Sequence, residues 1–163
     1  MLKPKLAAYF ESYADSHRHP TNRLTHKIAI PLIVFHIIAM LDWVKFVQIG
    51  ESGVFVSLAM IVYVAVVAWY LTLNAKLGLV MLAFYGVCFP IGWQFDRLEH
   101  GRLFVVGIAI VAWLIQLAGH LVWEKKQPAF FTNLLQALIG PIFFAAVLTG
   151  DWPQSRAPQP ASN

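Results

Sequence analysis

Residues 15–35 read DSHRHPTNRLTHKIAIPLIVF. A polar flank with three histidines in ten residues, His17, His19 and His26, runs directly into an apolar stretch. A basic flank followed by sustained hydrophobicity is how a chain enters a bilayer. Imidazoles at that entrance are either part of a charged flank or ligands in a metal site, and a site needs further ligands from elsewhere in the chain.

Composition supports the membrane reading. Of 163 residues, 59% are hydrophobic and 12% charged, against roughly 25% charged in soluble domains. Apolar segments run over about 28–47, 53–73, 76–95, 102–123 and 129–149, each near the ~20 residues that a spanning helix needs. The expected fold is all-α, a polytopic membrane helix bundle of four or five spans. The segment 28–47 carries Pro31, His36 and Asp42, and 53–73 and 76–95 are close enough to form a tight hairpin. Ahead of the spans, Leu2, Leu6, Tyr9, Phe10 and Tyr13 recur at helical spacing, which predicts an N-terminal interfacial amphipathic helix over 2–16. Pro20 should end or bend it, with Thr21 or Asn22 capping the next helix. Residues 1–150 are expected to form a single membrane domain. The Pro-, Ser- and Gln-rich stretch 151–163, DWPQSRAPQPASN, is expected to be a disordered tail.

The net charge of +4 comes from basic residues lying mostly between apolar segments, and no basic, aromatic-interleaved patch marks a nucleic-acid interface. Cys88 is the single cysteine, so neither an intramolecular disulfide nor a cysteine-based zinc site is expected. The first 27 residues have no apolar core of the kind a cleavable signal peptide needs. If all five segments cross, Lys3, Lys5, Arg18, Arg23, Lys27, Lys76, Lys125 and Lys126 share one face, and Lys45, Arg97, Arg102 and Arg156 the other. Eight basic residues against four predict an integral membrane protein with a cytoplasmic N-terminus.

Under this topology the chain returns to its entry face near His120, in WLIQLAGHLVWEKKQPA, residues 113–129. Gln116, His120 and Glu124 are four residues apart and form one stripe on a helix. Gly119 permits close approach of a neighbouring helix. Polar groups at the end of a span need partners, and the imidazoles of His17 and His26 are candidates. Three imidazoles suit iron, zinc, copper or nickel, with Glu124 or Asn22 as a fourth ligand or a hydrogen-bonding support. His19, His36 and His100 are weaker candidates, as a solvated flank, a buried hydrogen-bonded ring and a loop residue. No phosphate-binding loop or serine nucleophile elbow is present.

The pattern H-x4-N-x3-H of His17, Asn22 and His26, followed by IAIPL, resembles the start of a membrane family of 2-hydroxy fatty acid dioxygenases. W-x2-Q-x2-G-H-x3-E-x3-P-A, from Trp113 to Ala129, is similar to that family's second signature. The resemblance covers about residues 9–145 and implies an iron(II)-dependent α-oxidation that shortens a 2-hydroxy fatty acid by one carbon with dioxygen. It implies His17, His26 and His120 as iron ligands; Glu124, Asn22 and Gln116, from the spacing of the residues, are expected to serve the reaction beside them. It also implies a bacterial inner-membrane location, or the endoplasmic reticulum if the source is eukaryotic. Two positions depart from the family pattern: Ser16 stands where an aromatic residue usually precedes the first histidine, and 129–149 has no acidic residue. Arg18, Arg23, Lys125 and Lys126 are placed to attract the substrate carboxylate, while the acyl tail stays with membrane lipid among the spans. The competing reading is a non-enzymatic membrane scaffold or small transporter, in which the polar stripe is interhelical glue.

Overall fold

In the computed structural model, residues 2–51 and 53–152 are described, and the chain divides into two compact units, Met1–Pro31 with Ala112–Asn163, and Leu32–Val111. The helices are α1 (Pro4–Asp15), α2 (Pro20–Asp42), α3 (Leu58–Leu73), α4 (Ala75–Asp96), α5 (Gly101–Ala118) and α6 (Leu135–Leu148). A π-helical turn, Gly119–Glu124, continues α5 without interruption.

Three helical stretches are long and apolar enough to cross a membrane: Pro20–Asp42, Ala75–Asp96 and Gly101–Glu124. Large apolar side chains on these helices face outward, among them Leu79, Val87, Leu103, Ile110 and Leu114, as expected of a protein whose solvent is lipid. Against the four or five spans expected, three helices have the length and apolar character to cross, and α3 and α6 are shorter apolar helices. At 1.5 Å per residue, the 14 residues of α6 reach only about 21 Å, short of a ~30 Å hydrocarbon core. The segment 28–47 is shortened as well, because its helix stops at Asp42 and Lys45–Ile49 is a strand.

That strand is half of a β-hairpin that an all-α fold does not contain. Lys45–Ile49 pairs antiparallel with Val54–Ser57, and Gly50 and Gly53 supply the positive φ angles, 56° and 71°, that the turn requires. Within the second unit, Asp42 ties the hairpin to the helices. Its carboxylate accepts hydrogen bonds from Ser57 Oγ and Lys45 Nζ, and from Trp93 Nε1 at 3.0 Å. Asn74 alone connects α3 to α4: its backbone N–H closes α3 on Tyr70, and its side chain caps α4 at Leu77. The expected tight hairpin of two helices is therefore present.

In the first unit, α1 packs its apolar stripe on α6. Leu6 and Phe10 are fully buried, and Phe10 meets Phe143 and Trp152 edge-on. A helix, Pro4–Asp15, stands where an interfacial amphipathic helix is expected over 2–16, and its apolar stripe is covered by protein. Trp152, the second residue of the expected tail, is buried in this core. Residues 153–163 lie outside the described residues.

Candidate metal centre

The site lies where the start of α2 meets the end of α5, all within the first unit. Pro20 opens α2 at its first helical position, where the missing N–H costs nothing. The cap is His19 rather than Thr21 or Asn22: His19 Nδ1 accepts from Thr21 N at 3.1 Å, and His19 O accepts from Arg23 N. That contact turns the His19 ring to the helix end, and His19 is not among the converging histidines.

Glu124 completes the junction. Its Oε1 accepts the backbone N–H of Arg18 at 3.0 Å, and its Oε2 accepts the backbone N–H of His19 at 2.9 Å and Asn22 Nδ2 at 3.0 Å. A carboxylate at the N-terminus of a helix also complements the helix dipole. With both oxygens so engaged, Glu124 fixes the 16–19 turn against the end of α5. The π winding contributes to this placement: it widens the last turn, and Lys125 closes it in the left-handed conformation, φ 53°, bonded back to His120 O. Such π turns recur at functional sites because they redirect a side chain off the α-helical stripe.

Close helix contact is built into the sequence at Gly119. A Cβ there would lie 2.2 Å from Thr25 Oγ1 and 2.5 Å from Asn22 Oδ1, so only glycine lets α2 approach this near.

His17, His26 and His120 are all buried, and each offers a ring nitrogen within 4.8 Å of the others. Two of the rings are oriented by the backbone. His17 Nδ1–H donates to Tyr13 O at 2.7 Å, and His26 Nδ1–H donates to Asn22 O at 2.8 Å. Each neutral ring therefore presents a bare Nε2 lone pair. His26 Nε2 lies 3.0 Å from His120 Nε2, while His17 Nε2 is buried with no hydrogen-bond partner. Burial is the main cause that lowers the His17 pKa from 6.5 to about 3, with the nearby His120 adding to it and the Tyr13 carbonyl opposing it. The ring is thus neutral at pH 7 and free to act as a ligand.

A buried imidazole nitrogen without a partner, as His17 Nε2 is, is costly, and a cation shared with the His26 and His120 rings would remove the cost. Two nitrogens about 2 Å from one ion can lie as close as His26 and His120 do. The donor set fits a borderline transition metal with coordination positions left open.

The other expected site residues are placed as follows. Asn22 is fully buried, with its Oδ1 unpartnered. Gln116 is buried one turn before His120, and its Oε1 has no partner. Arg18 is exposed and its side chain pairs with Asp15 at 3.0 Å. Lys125 and Lys126 are exposed at the end of the π turn. Arg23 lines a cleft beside His17 and His26, and so does Lys27, which the reading of the sequence had assigned only to topology. His36 bonds its Nδ1–H to Leu32 O, and His100 is exposed beside Glu99; neither joins the group.

Residues 4–152 match a family described as 2-hydroxy-palmitic acid dioxygenase Mpo1-like. Over 135 residues, covering 81% of this chain and 72% of the relative, the sequence is 31% identical to the 2-hydroxy-palmitic acid dioxygenase MPO1 of Saccharomyces cerevisiae. No solved structure matches.

Proposed function

The chain belongs to the Mpo1-like family of 2-hydroxy-palmitic acid dioxygenases, and on that premise we propose that it is an iron(II)-dependent membrane dioxygenase of 2-hydroxy fatty acids. The reaction is α-oxidation to a fatty acid one carbon shorter. The observation that carries the reading is the convergence of three buried imidazoles, one with an orphaned Nε2, in a chain of this family.

His17, His26 and His120 hold the ion. Iron(II) bound there supplies the redox chemistry that makes dioxygen reactive. Tyr13 O and Asn22 O fix the tautomers of His17 and His26, so that both rings present Nε2. Glu124 holds the 16–19 turn in place, with Asn22 as its partner across the helix contact. Gln116 and Asn22 Oδ1 are buried acceptors without partners and serve as polar contacts for substrate or ordered water.

The balance of atoms defines the chemistry. One 2-hydroxy acid and one dioxygen give the shortened acid, carbon dioxide and water. The C1–C2 bond breaks, C2 rises from alcohol to carboxyl level, and dioxygen takes up four electrons. The 2-hydroxyl is required because it sits on the carbon that becomes the new carboxyl. A 3-hydroxy acid carries its oxygen on the wrong carbon, and an unsubstituted acid starts two electrons too reduced. Tail burial is the same for all three, so it contributes affinity without selecting the reacting carbon.

The test is anaerobic purification, reconstitution with iron(II), admission of dioxygen, and mass analysis of products from long-chain 2-hydroxy, 3-hydroxy and unsubstituted acids. Only the 2-hydroxy acid should be shortened. Equal turnover of the unsubstituted acid refutes the assignment, and no turnover by iron-loaded protein over several chain lengths favours a non-enzymatic membrane scaffold.

A further inference from the structure

We propose that the cleft beside His17 and His26 is the substrate channel, that Arg23 and Lys27 anchor the carboxylate, and that α6 forms the wall along the acyl chain. The proposal rests on the reading of the substrate as a long-chain 2-hydroxy acid.

The residues on the α2 side are Arg23, His26, Lys27 and Ile30. Their spacing of three and four residues puts them on one face of the helix. A candidate ligand ring is thus flanked by two cations one turn apart. Across the cleft stand Phe143, Phe144 and Val147 of α6, joined by Trp152, and this wall is entirely apolar. Tyr13 and His17, whose stacked rings have centroids 4.0 Å apart, also line the cleft.

Among the described residues, neither the Arg23 guanidinium nor the Lys27 ammonium makes a side-chain hydrogen bond or an ion pair. Arg18, by contrast, is already paired with Asp15. Unpaired cations beside an apolar wall lack a counter-charge, and a fatty acid carboxylate supplies it in the form that Arg and Lys bind most strongly. The same wall takes the adjoining methylenes, whose burial adds affinity. Cations beside the histidines on α2 and hydrocarbon from α6 match the two chemistries of a 2-hydroxy acid, a charged head and an apolar tail.

The experiment measures equilibrium binding to the full-length protein as purified, in phosphatidylcholine nanodiscs without dioxygen. The probes are a radiolabelled long-chain 2-hydroxy acid and the 1,2-diol of equal length, which keeps the tail and the 2-hydroxyl and carries a hydroxymethyl group in place of the carboxylate. The double variant R23Q/K27Q should bind the acid at least about tenfold more weakly, as expected for loss of charge-assisted hydrogen bonds, and bind the diol as wild type does. Unchanged acid binding, or parallel weakening of acid and diol, overturns the carboxylate assignment. V147W, which fills the cleft from the α6 side, should weaken both probes, and wild-type binding of both refutes the wall. Phosphatidic acid at matched concentration should displace the acid poorly; displacement as strong as by unlabelled acid assigns the cleft to lipid headgroups instead and overturns the proposal. Failure of the proposed reaction would look different, because the acid would still bind in this way without being shortened.

Discussion

The Nε2 atoms of His26 and His120 stand 3.0 Å apart although 94 residues separate them in the chain. Together with the orphaned His17 Nε2, they make a specific prediction about metal content. The protein should purify with about one iron per chain, and H17A, H26A and H120A should each lose most of it, because three imidazoles leave no ligand to spare. H100A should retain full occupancy, since His100 is exposed outside the group. Metal analysis of gently purified variants is the measurement, and full iron in H120A would remove that ring from the site.

Glu124 should behave as a positioning residue rather than a ligand, because both its oxygens are engaged by Arg18 N, His19 N and Asn22 Nδ2. E124A leaves those donors without their acceptor, at a cost of about 1–3 kcal/mol. Iron should bind more weakly while the spectrum of the bound ion stays that of the wild type. E124Q keeps one acceptor oxygen and should recover much of the affinity. A changed ligand-field spectrum in E124Q, with affinity unaltered, would instead mark Glu124 as a ligand.

The Arg18–Glu124 bond also fixes sidedness. Arg18 and Lys125 are both exposed and must lie on the same face of the membrane, which we propose to be the cytoplasmic one on the distribution of basic residues. In a Cys88→Ala background, R18C and R18's counterpart K125C should react with an impermeant thiol reagent from that side alone. Labelling of the two from opposite sides would contradict the hydrogen-bonded junction.

The histidine convergence was legible because it needs only a helix leaving and another returning at one face, and H-x4-N-x3-H with G-H-x3-E marks both ends. What sequence reasoning could not place is what depends on backbone detail. The α-helical stripe of Gln116, His120 and Glu124 gave no sign of the π turn that sends Glu124 to the 16–19 turn. Nor did it show that His19 caps α2, since a ring nitrogen does there what a hydroxyl or carboxylate usually does. The β-hairpin was hidden because Val44–Ile49 and Val54–Ser57 adjoin apolar helices and read as their continuation, although the two glycines around the turn were visible. Lys27 was counted as topology because only the packing of α6 makes its face a cleft.

Gly119 offers the sharpest test of how closely the two helices must meet. G119A places a methyl group against Thr25 Oγ1 and Asn22 Oδ1, at separations of 2.2 and 2.5 Å that neither atom tolerates. Thr25 Oγ1 donates to Asn22 O at 2.8 Å, so its side chain is held in place, and the same carbonyl orients the His26 ring. Overpacking of this kind costs about 1–3 kcal/mol. It should appear as a lower thermal midpoint and at least several-fold weaker iron retention, although no ligand has been touched. The double variant G119A/T25A removes one of the two clashes and should recover part of both losses, while T25A alone should change iron retention little. Recovery greater than the sum of the single effects identifies the contact as the cause. If G119A retains wild-type stability and iron, the close approach of α2 to the π turn is not what holds the three histidines together.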